Sequence, residues 1–323
     1  MTSTPLITTP FGAANTATDV IGDHDLTGIR AVVTGASSGL GRETARALAV
    51  AGAEVTIAVR NTVAGESVAG AIANGGSAVR PRVSVLDLSD QASVARFVDA
   101  WTGPLHLLIN NAGLVTGGLE RTVEGWELQF ATNHLGHFSL AAGLHDALAA
   151  GANERDGARV VSLSSTAHMR ANIDFDDPQF INGAYDPQIA YARAKTANSL
   201  FAVEATRRWV SEGIVANTVN PGGVATGLQR NFTAEQKASL DAAESAGVFT
   251  YKTIAQGAAT TIVAAIRPEF AHTGGHYLDD GQEAYRVPNE ASLADHPHGV
   301  KAWALDPESA ERLWDMSIEL TTR

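Results

Sequence analysis

Residues 30–52 read RAVVTGASSGLGRETARALAVAG: a short apolar run, three closely spaced glycines, then alanine-rich sequence with helical periodicity. That order commits the chain to a strand that turns sharply into a helix, and the pattern recurs. AEVTIAVRN (53–61), SAVRPRVSVLDLSD (77–90), LHLLINNAG (105–113), ARVVSLSST (158–166), GIVANTVNPGG (213–223) and GGHYLDD (274–280) each read as or contain a strand. Between them, QASVARFVDAW (91–101) reads as a helix and a long helix is predicted around 124–150. Near-continuous apolar strands separated by helices of about a dozen residues imply βαβ crossovers and a parallel sheet covered on both faces. The expected class is α/β, a doubly wound parallel sheet flanked by helices in a single domain. Residues 1–27, rich in Thr, Ala, Gly and Asp, read as an extension leading into that domain, which then occupies 28–323.

The glycine loop carries chemical information. Gly35, Gly39 and Gly41 let the backbone turn and approach a bound group, while the helix start offers unpaired N–H donors and the positive end of a dipole to an anion. A dinucleotide pyrophosphate fits this arrangement. The spacing is G-x-x-x-G-x-G, which differs from the general G-x-G-x-x-G fingerprint, and no Lys follows to make a triphosphate loop. The second strand ends in Arg60 and Asn61, with no carboxylate to hold a ribose 2′-hydroxyl. An arginine there suits a 2′-phosphate, so NADP(H) is expected over NAD(H).

Composition narrows the alternatives. A formal net charge of −12 disfavours nucleic acid and anionic membranes as partners. The chain has no cysteine, which removes disulfides, thiolate zinc sites and cysteine nucleophiles. No basic residue or sustained apolar run marks the first 25 residues, and no apolar stretch is long enough to cross a bilayer, so a cytoplasmic location is expected.

The segment YARAK places Tyr191 and Lys195 four residues apart, on one face of a helix. Alone, such a pair reads more readily as a core aromatic and a solvated amine, because short motifs recur by accident. In combination it is distinctive: TGASSGLG (34–41), NNAG (110–113), NHLGHF (133–138), VSLSS (161–165), YARAK (191–195) and NPGGVAT (220–226) occur in the order and approximate spacing of the short-chain dehydrogenase/reductase superfamily. The phrases SSTAH (164–168), AYARAKTANSLFAVEATRR (190–208) and GGHYLDD most resemble the branch that contains retinol dehydrogenases, WW-domain oxidoreductases and protochlorophyllide reductase. The absence of cysteine and of a membrane anchor departs from that branch.

The resemblance implies a Rossmann-type fold and an NADP(H)-dependent oxidoreductase acting on a small-molecule alcohol or carbonyl compound. Tyr191 would be the proton donor and acceptor, Lys195 would hold the nicotinamide ribose, Ser165 would bind the substrate oxygen and Asn133 would continue a proton relay. Ser164 stands as the alternative to Ser165. Cofactor contacts are implied at Gly35, Ser37, Ser38, Gly39, Leu40, Arg60, Asn61, Asp87, Leu88, Asn111, Ala112, Gly113, Tyr191, Lys195, Pro221, Gly222, Val224 and Thr226. The substrate side is assigned to an insertion about 168–189 and a lid about 223–253, with Leu228, Phe232 and Phe249 as candidate pocket walls.

Physical chemistry supports the central pair: a free phenol near ~10 exchanges protons poorly at neutral pH, and a neighbouring ammonium would lower it. His134, His137 and His168 lack the partners of a metal site and read as structural. Asp174, Asp176 and Asp177 read as a solvated loop. No metal is expected, and a homo-oligomer is compatible with the family. The competing functions are reduction of a C=C bond on the same scaffold, or a cofactor-sensing protein without turnover.

Overall fold

The computed structural model describes residues 5–322 apart from 156, 228–237, 239–241, 243 and 246–249. The described strands are β1 (Arg30–Thr34), β2 (Glu54–Val59), β3 (Arg82–Val85), β4 (Leu107–Asn110), β5 (Ala158–Leu163), β6 (Ile214–Asn220), β7 (Tyr277–Asp279) and β8 (Gln282–Glu283), with a short separate pair, Arg286–Val287 and Val300–Lys301. The eight form one sheet in the order β3-β2-β1-β4-β5-β6-β7-β8. Neighbours are parallel except for the β7–β8 pair. This is the doubly wound arrangement expected from the alternation of strands and helices.

The central strands feed both faces. Ala31 and Val33 join a core with Leu48 of α2 (Gly39–Val50), Ile72 of α3 (Thr62–Asn74) and Ile262 of the helix Ala259–Ile266. Val32 joins the opposite core with Phe97 of α4 (Gln91–Asp99), Phe201 of α8 (Pro187–Trp209) and Trp314 of the C-terminal helix Pro307–Thr321. The period-2 side-chain alternation of a strand thus becomes two buried layers.

Two segments differ in detail from the sequence reading. The region read as a lead-in extension carries α1 (Ala17–Ile21), started by a capping box between Thr16 and Asp19, and its Val20 and Ile21 are buried in the first core. Upstream, the backbone N–H groups of Ile7 and Thr9 donate to Glu283 Oε2 (2.8 Å) and Gln282 Oε1 (2.9 Å), fastening this segment to the edge strand β8. The long helix around 124–150 is instead α5 (Leu128–Phe130), a π turn (Ala131–Leu135), α6 (Gly136–Gly143) and α7 (His145–Arg155). Buried Glu127 fixes the start by accepting from the N–H groups of Gln129 and Phe130. Gly136 allows a close approach, since a Cβ there would lie 2.2 Å from the Leu88 carbonyl oxygen.

Candidate active site

Strand order reverses at β1, which pairs with β2 on one side and β4 on the other, and such a switch point opens a crevice at the carboxyl ends of the strands. Thr34, the last residue of β1, organises it. Its Oγ1 accepts from the N–H groups of Asn111 and Ala112 (both 2.9 Å), and its carbonyl accepts from Asn111 Nδ2 (2.7 Å). The loop after β4, including Gly113, is thereby seated against the glycine loop. Gly35 has φ +67°, and a Cβ there would lie 2.9 Å from Ala112 Cα; one on Gly41 would lie 2.9 Å from the Gly35 carbonyl oxygen. These two glycines are required by close approach, whereas Gly39 supplies a second left-handed turn at φ +54°.

Ser38 is the N-cap of α2 yet makes no side-chain cap bond. The first-turn N–H groups of α2 are therefore left uncapped by Ser38, and exposed Ser38 and half-buried Ser37 and Leu40 border them. This fits a dinucleotide pyrophosphate. A Cβ on Gly39 would meet Thr226 at 3.7 Å, and one on Gly257 would meet both Val224 and Leu40. The NPGGVAT segment thus returns over the glycine loop. Gly222 donates its N–H to Asn220 Oδ1 (3.2 Å) at φ +79°, beside half-buried Pro221.

Farther along the edge, Arg60 is exposed at the end of β2 and Asn61 caps α3 by accepting from the Ala64 N–H (3.0 Å). Asp87 turns one carboxylate oxygen onto the N–H (2.9 Å) and hydroxyl (2.6 Å) of Ser89, and Leu88 is buried against Gly136. The three candidate pocket walls Leu228, Phe232 and Phe249 lie outside the described residues.

On the other side of the crevice, α8 starts at Pro187 behind the N-cap Asp186 and carries Tyr191 and Lys195. Lys195 is buried, and its ammonium donates to the Leu163 carbonyl at the end of β5 (2.9 Å) and lies 5.5 Å from the Tyr191 ring centroid. A Cβ on Gly113 would meet Asn133 Oδ1 at 3.4 Å and Lys195 Nζ at 3.6 Å, which places these three groups together. Asn133 sits in the π turn and clamps Leu114 with both amide atoms, accepting from its N–H (2.8 Å) and donating to its carbonyl (3.0 Å).

Of the serines, Ser162 and Ser164 are buried, and Ser164 donates its hydroxyl to the Lys195 carbonyl (2.8 Å). Ser165 opens the 3₁₀ turn Thr166–Arg170, where its hydroxyl accepts from the Ala167 N–H (3.2 Å), and it acts on the Tyr191 phenol in the sense that favours the phenolate.

Burial pushes the Tyr191 phenol up to about 12, against the opposing Ser165 hydroxyl and Arg170 guanidinium, and pushes the Lys195 ammonium down to about 8. The expectation that Lys195 lowers the phenol is therefore not met. The lysine stands over the ring face, and removal of the phenol from water dominates.

The short chain dehydrogenase family model matches residues 30–237. The chain belongs to the short-chain dehydrogenase family. It is 47% identical over 300 residues to a "Probable oxidoreductase" of Streptomyces antibioticus, covering 91% of this chain and 98% of that protein. A crystal structure of an uncharacterized protein from Mycobacterium Paratuberculosis superposes with a TM-score of 0.71 at 31% identity, over 94% of this chain and 97% of the other. The Pseudomonas aeruginosa RhlG/NADP active-site complex superposes with a TM-score of 0.64 at 27% identity, over 80% and 96%.

In this short-chain dehydrogenase the structure gives partners to residues read as structural and adds Tyr185, which sequence reasoning passed over. His137 Nδ1 donates to the Asn133 carbonyl (3.0 Å), and its Nε2 meets the Thr34 hydroxyl (2.8 Å). Tyr185, from the insertion, donates to Glu127 Oε1 (2.8 Å), accepts from Gln129 Nε2 (2.9 Å) and meets Thr116 (3.0 Å), tying the insertion to the start of α5. The acids of that insertion are loop braces: Asp177 accepts from the N–H groups of Ile181, Asn182 and Gly183, and Asp174 pairs with Arg193 (3.1 Å). Asp176 pairs with Arg312 (3.3 Å). His134 meets Ser317 (2.9 Å). Among the described residues, the one cluster with metal-ligand spacing is Asp279, Asp280 and His298, and the Lys252 ammonium already pairs with Asp280 there. No described helix is long and apolar enough to cross a membrane.

Proposed function

We propose that this oxidoreductase interconverts an alcohol and its aldehyde or ketone with NADP(H), using Tyr191, Ser165, Lys195 and Asn133. The observation that carries the reading is the convergence of the Tyr191 phenol, the Ser165 hydroxyl and the buried Lys195 ammonium at the end of β5, across the crevice from an anion-ready helix start. The nicotinamide, when bound, supplies or accepts the hydride. The chain's own groups handle the oxygen and its proton. Ser165 donates a hydrogen bond to the substrate oxygen, and Tyr191, held protonated by its burial, delivers the proton as alkoxide character develops there. Lys195 remains largely protonated at pH 7, since its value of about 8 lies above neutrality. It orients the ribose, while Asn133 fixes the 113–114 backbone beside it.

NADP(H) is favoured because exposed Arg60 closes β2 where a carboxylate would otherwise bind the 2′-hydroxyl, and because the RhlG relative is described with NADP. The catalytic domain takes in α1 together with 28–323, the insertion 168–189 supplies substrate-side walls, and the protein works in the cytoplasm.

The test is consumption of NADPH and NADH with aldehydes, aliphatic and aryl ketones, steroids, retinal and quinones, beside Tyr191→Phe. NADPH-linked carbonyl turnover that falls roughly 100-fold or more in Tyr191→Phe, with NADPH affinity kept, is the expected result. Turnover that survives the substitution removes Tyr191 as proton donor. Loss of an enone's alkene in place of its ketone makes the enzyme a C=C reductase, and cofactor binding without any turnover makes it a sensor.

A further inference from the structure

We propose that His168 is a positioning residue that holds Ser165 in register with Tyr191, and that Tyr277 locks His168 in place. The inference rests on the role of Ser165 in the function proposed above. His168 is 1% exposed and lies in the 3₁₀ turn that Ser165 opens. Its Nδ1 is 2.7 Å from the Ser165 carbonyl oxygen, and its Nε2 accepts from the backbone N–H of Lys301 at 3.3 Å. A carbonyl can only accept and a backbone amide can only donate, so the ring is the neutral Nδ1–H tautomer. The same turn closes with the His168 backbone N–H donating to the Ser165 carbonyl at 3.0 Å. That carbonyl is gripped twice, which fixes the peptide plane following Ser165 and with it the approach of the serine to Tyr191.

Tyr277 of β7 is the second half of the device. It is 1% exposed, its hydroxyl lies 3.0 Å from His168 Nδ1, and the two rings stack obliquely with centroids 4.7 Å apart. Ser164, whose hydroxyl donates to the Lys195 carbonyl at 2.8 Å, draws the same phenol down against its burial. The buried phenol therefore bears on Ser165 through its contact with His168, while Ser164 ties the end of β5 to the α8 turn that carries Lys195. The C-terminal segment adds a further grip, as Trp303 Nε1 donates to the His168 carbonyl at 3.2 Å. A leucine could fill this volume without the cost of burying an imidazole and a phenol. What the polar pair adds is direction, since a fully partnered buried network selects one geometry.

The test is a double-mutant cycle measured as NADPH oxidation with the panel carbonyl that turns over fastest. His168→Leu is expected to lower kcat roughly 10-fold or more, with the KM for NADPH held within about 3-fold, because sub-ångström misplacement of a reacting group is costly. His168→Asn, whose amide nitrogen can stand where Nδ1 stood, recovers most of that loss. In a Ser165→Ala background His168→Leu costs no more than about 2-fold further, because its effect passes through the serine. Fully additive losses, or equal losses in the Leu and Asn variants, overturn the proposal. If Ser165→Ala itself keeps full activity, the site reading fails and the coupling fails with it. A readout independent of substrate is the ¹⁵N spectrum of histidine-labelled protein: a neutral Nδ1–H signal lost in His168→Asn supports the assignment, and an Nε2–H tautomer for that residue overturns it.

Discussion

The carboxyl edge of the sheet holds two regions built on different principles. After β1 and β4 the site is backbone: Gly35 and Gly41 permit two loops to touch, Thr34 gathers N–H groups, and the α2 start is left open. After β5 and β7 it is side chain: His168 meets Ser165 and Tyr277, and Ser164 meets Lys195, in contacts that span 109 residues (Tyr277 to His168) and 31 residues (Ser164 to Lys195). A phosphate is the same in every dinucleotide, so a rigid backbone cradle serves it. A substrate oxygen must meet one hydroxyl in one orientation, which asks for packing around individual side chains.

If the first region is backbone, one methyl group should break it. Gly35→Ala places a Cβ 2.9 Å from Ala112 Cα on a residue at φ +67°. The expected cost is about 2–4 kcal/mol of stability, combining left-handed strain with overpacking, together with a large loss of NADPH affinity. Urea unfolding and a fluorescence titration with NADPH measure both. Wild-type behaviour in the two assays would mean that the loop yields and the cradle is not rigid.

The contrast also explains what could be read in advance. Strand-loop-helix order, the glycine loop, and the Tyr191–Lys195 pair are local patterns, and their residues lie within a few positions of one another. The grip of Asn133 on Leu114, the meeting of His137 with Thr34 and the insertion of Tyr185 between Glu127 and Gln129 depend on chain segments that meet only after folding. The lysine shows the same limit at the level of charge. Its spacing from Tyr191 was legible, but not the burial that raises the phenol to about 12.

Within the cradle, Arg60 should be a point contact whose loss leaves the backbone intact. Arg60→Ala is expected to weaken NADPH about 10-fold, on the order of 1.4 kcal/mol, while NADH changes less than about 2-fold. Steady-state KM values for both cofactors decide it. Equal weakening of the two would move the arginine from 2′-phosphate recognition to general support of the loop.

The smallest effect separates the regions by proton uptake. Burial pushes His134 down to about 3 and His137 and His168 to about 4, from an ordinary 6.5. His168 belongs to the side-chain half while His137 meets Thr34 of the backbone half, and each of the three stays neutral in the folded state while the unfolded chain protonates it. Between pH 6.5 and about 4 the unfolded state therefore binds more protons, so stability falls as pH falls through that window. Each histidine adds on the order of 1.4 kcal/mol per pH unit to the slope. His134→Gln keeps a donor toward Ser317 and removes the titrating ring, so it should lower the uptake by one proton. Urea melts of the two proteins at pH 6 and pH 5 give the difference in slope. An unchanged slope would mean that His134 is already solvated, and that the packing of the π turn on the C-terminal helix is looser than the fully buried imidazole requires.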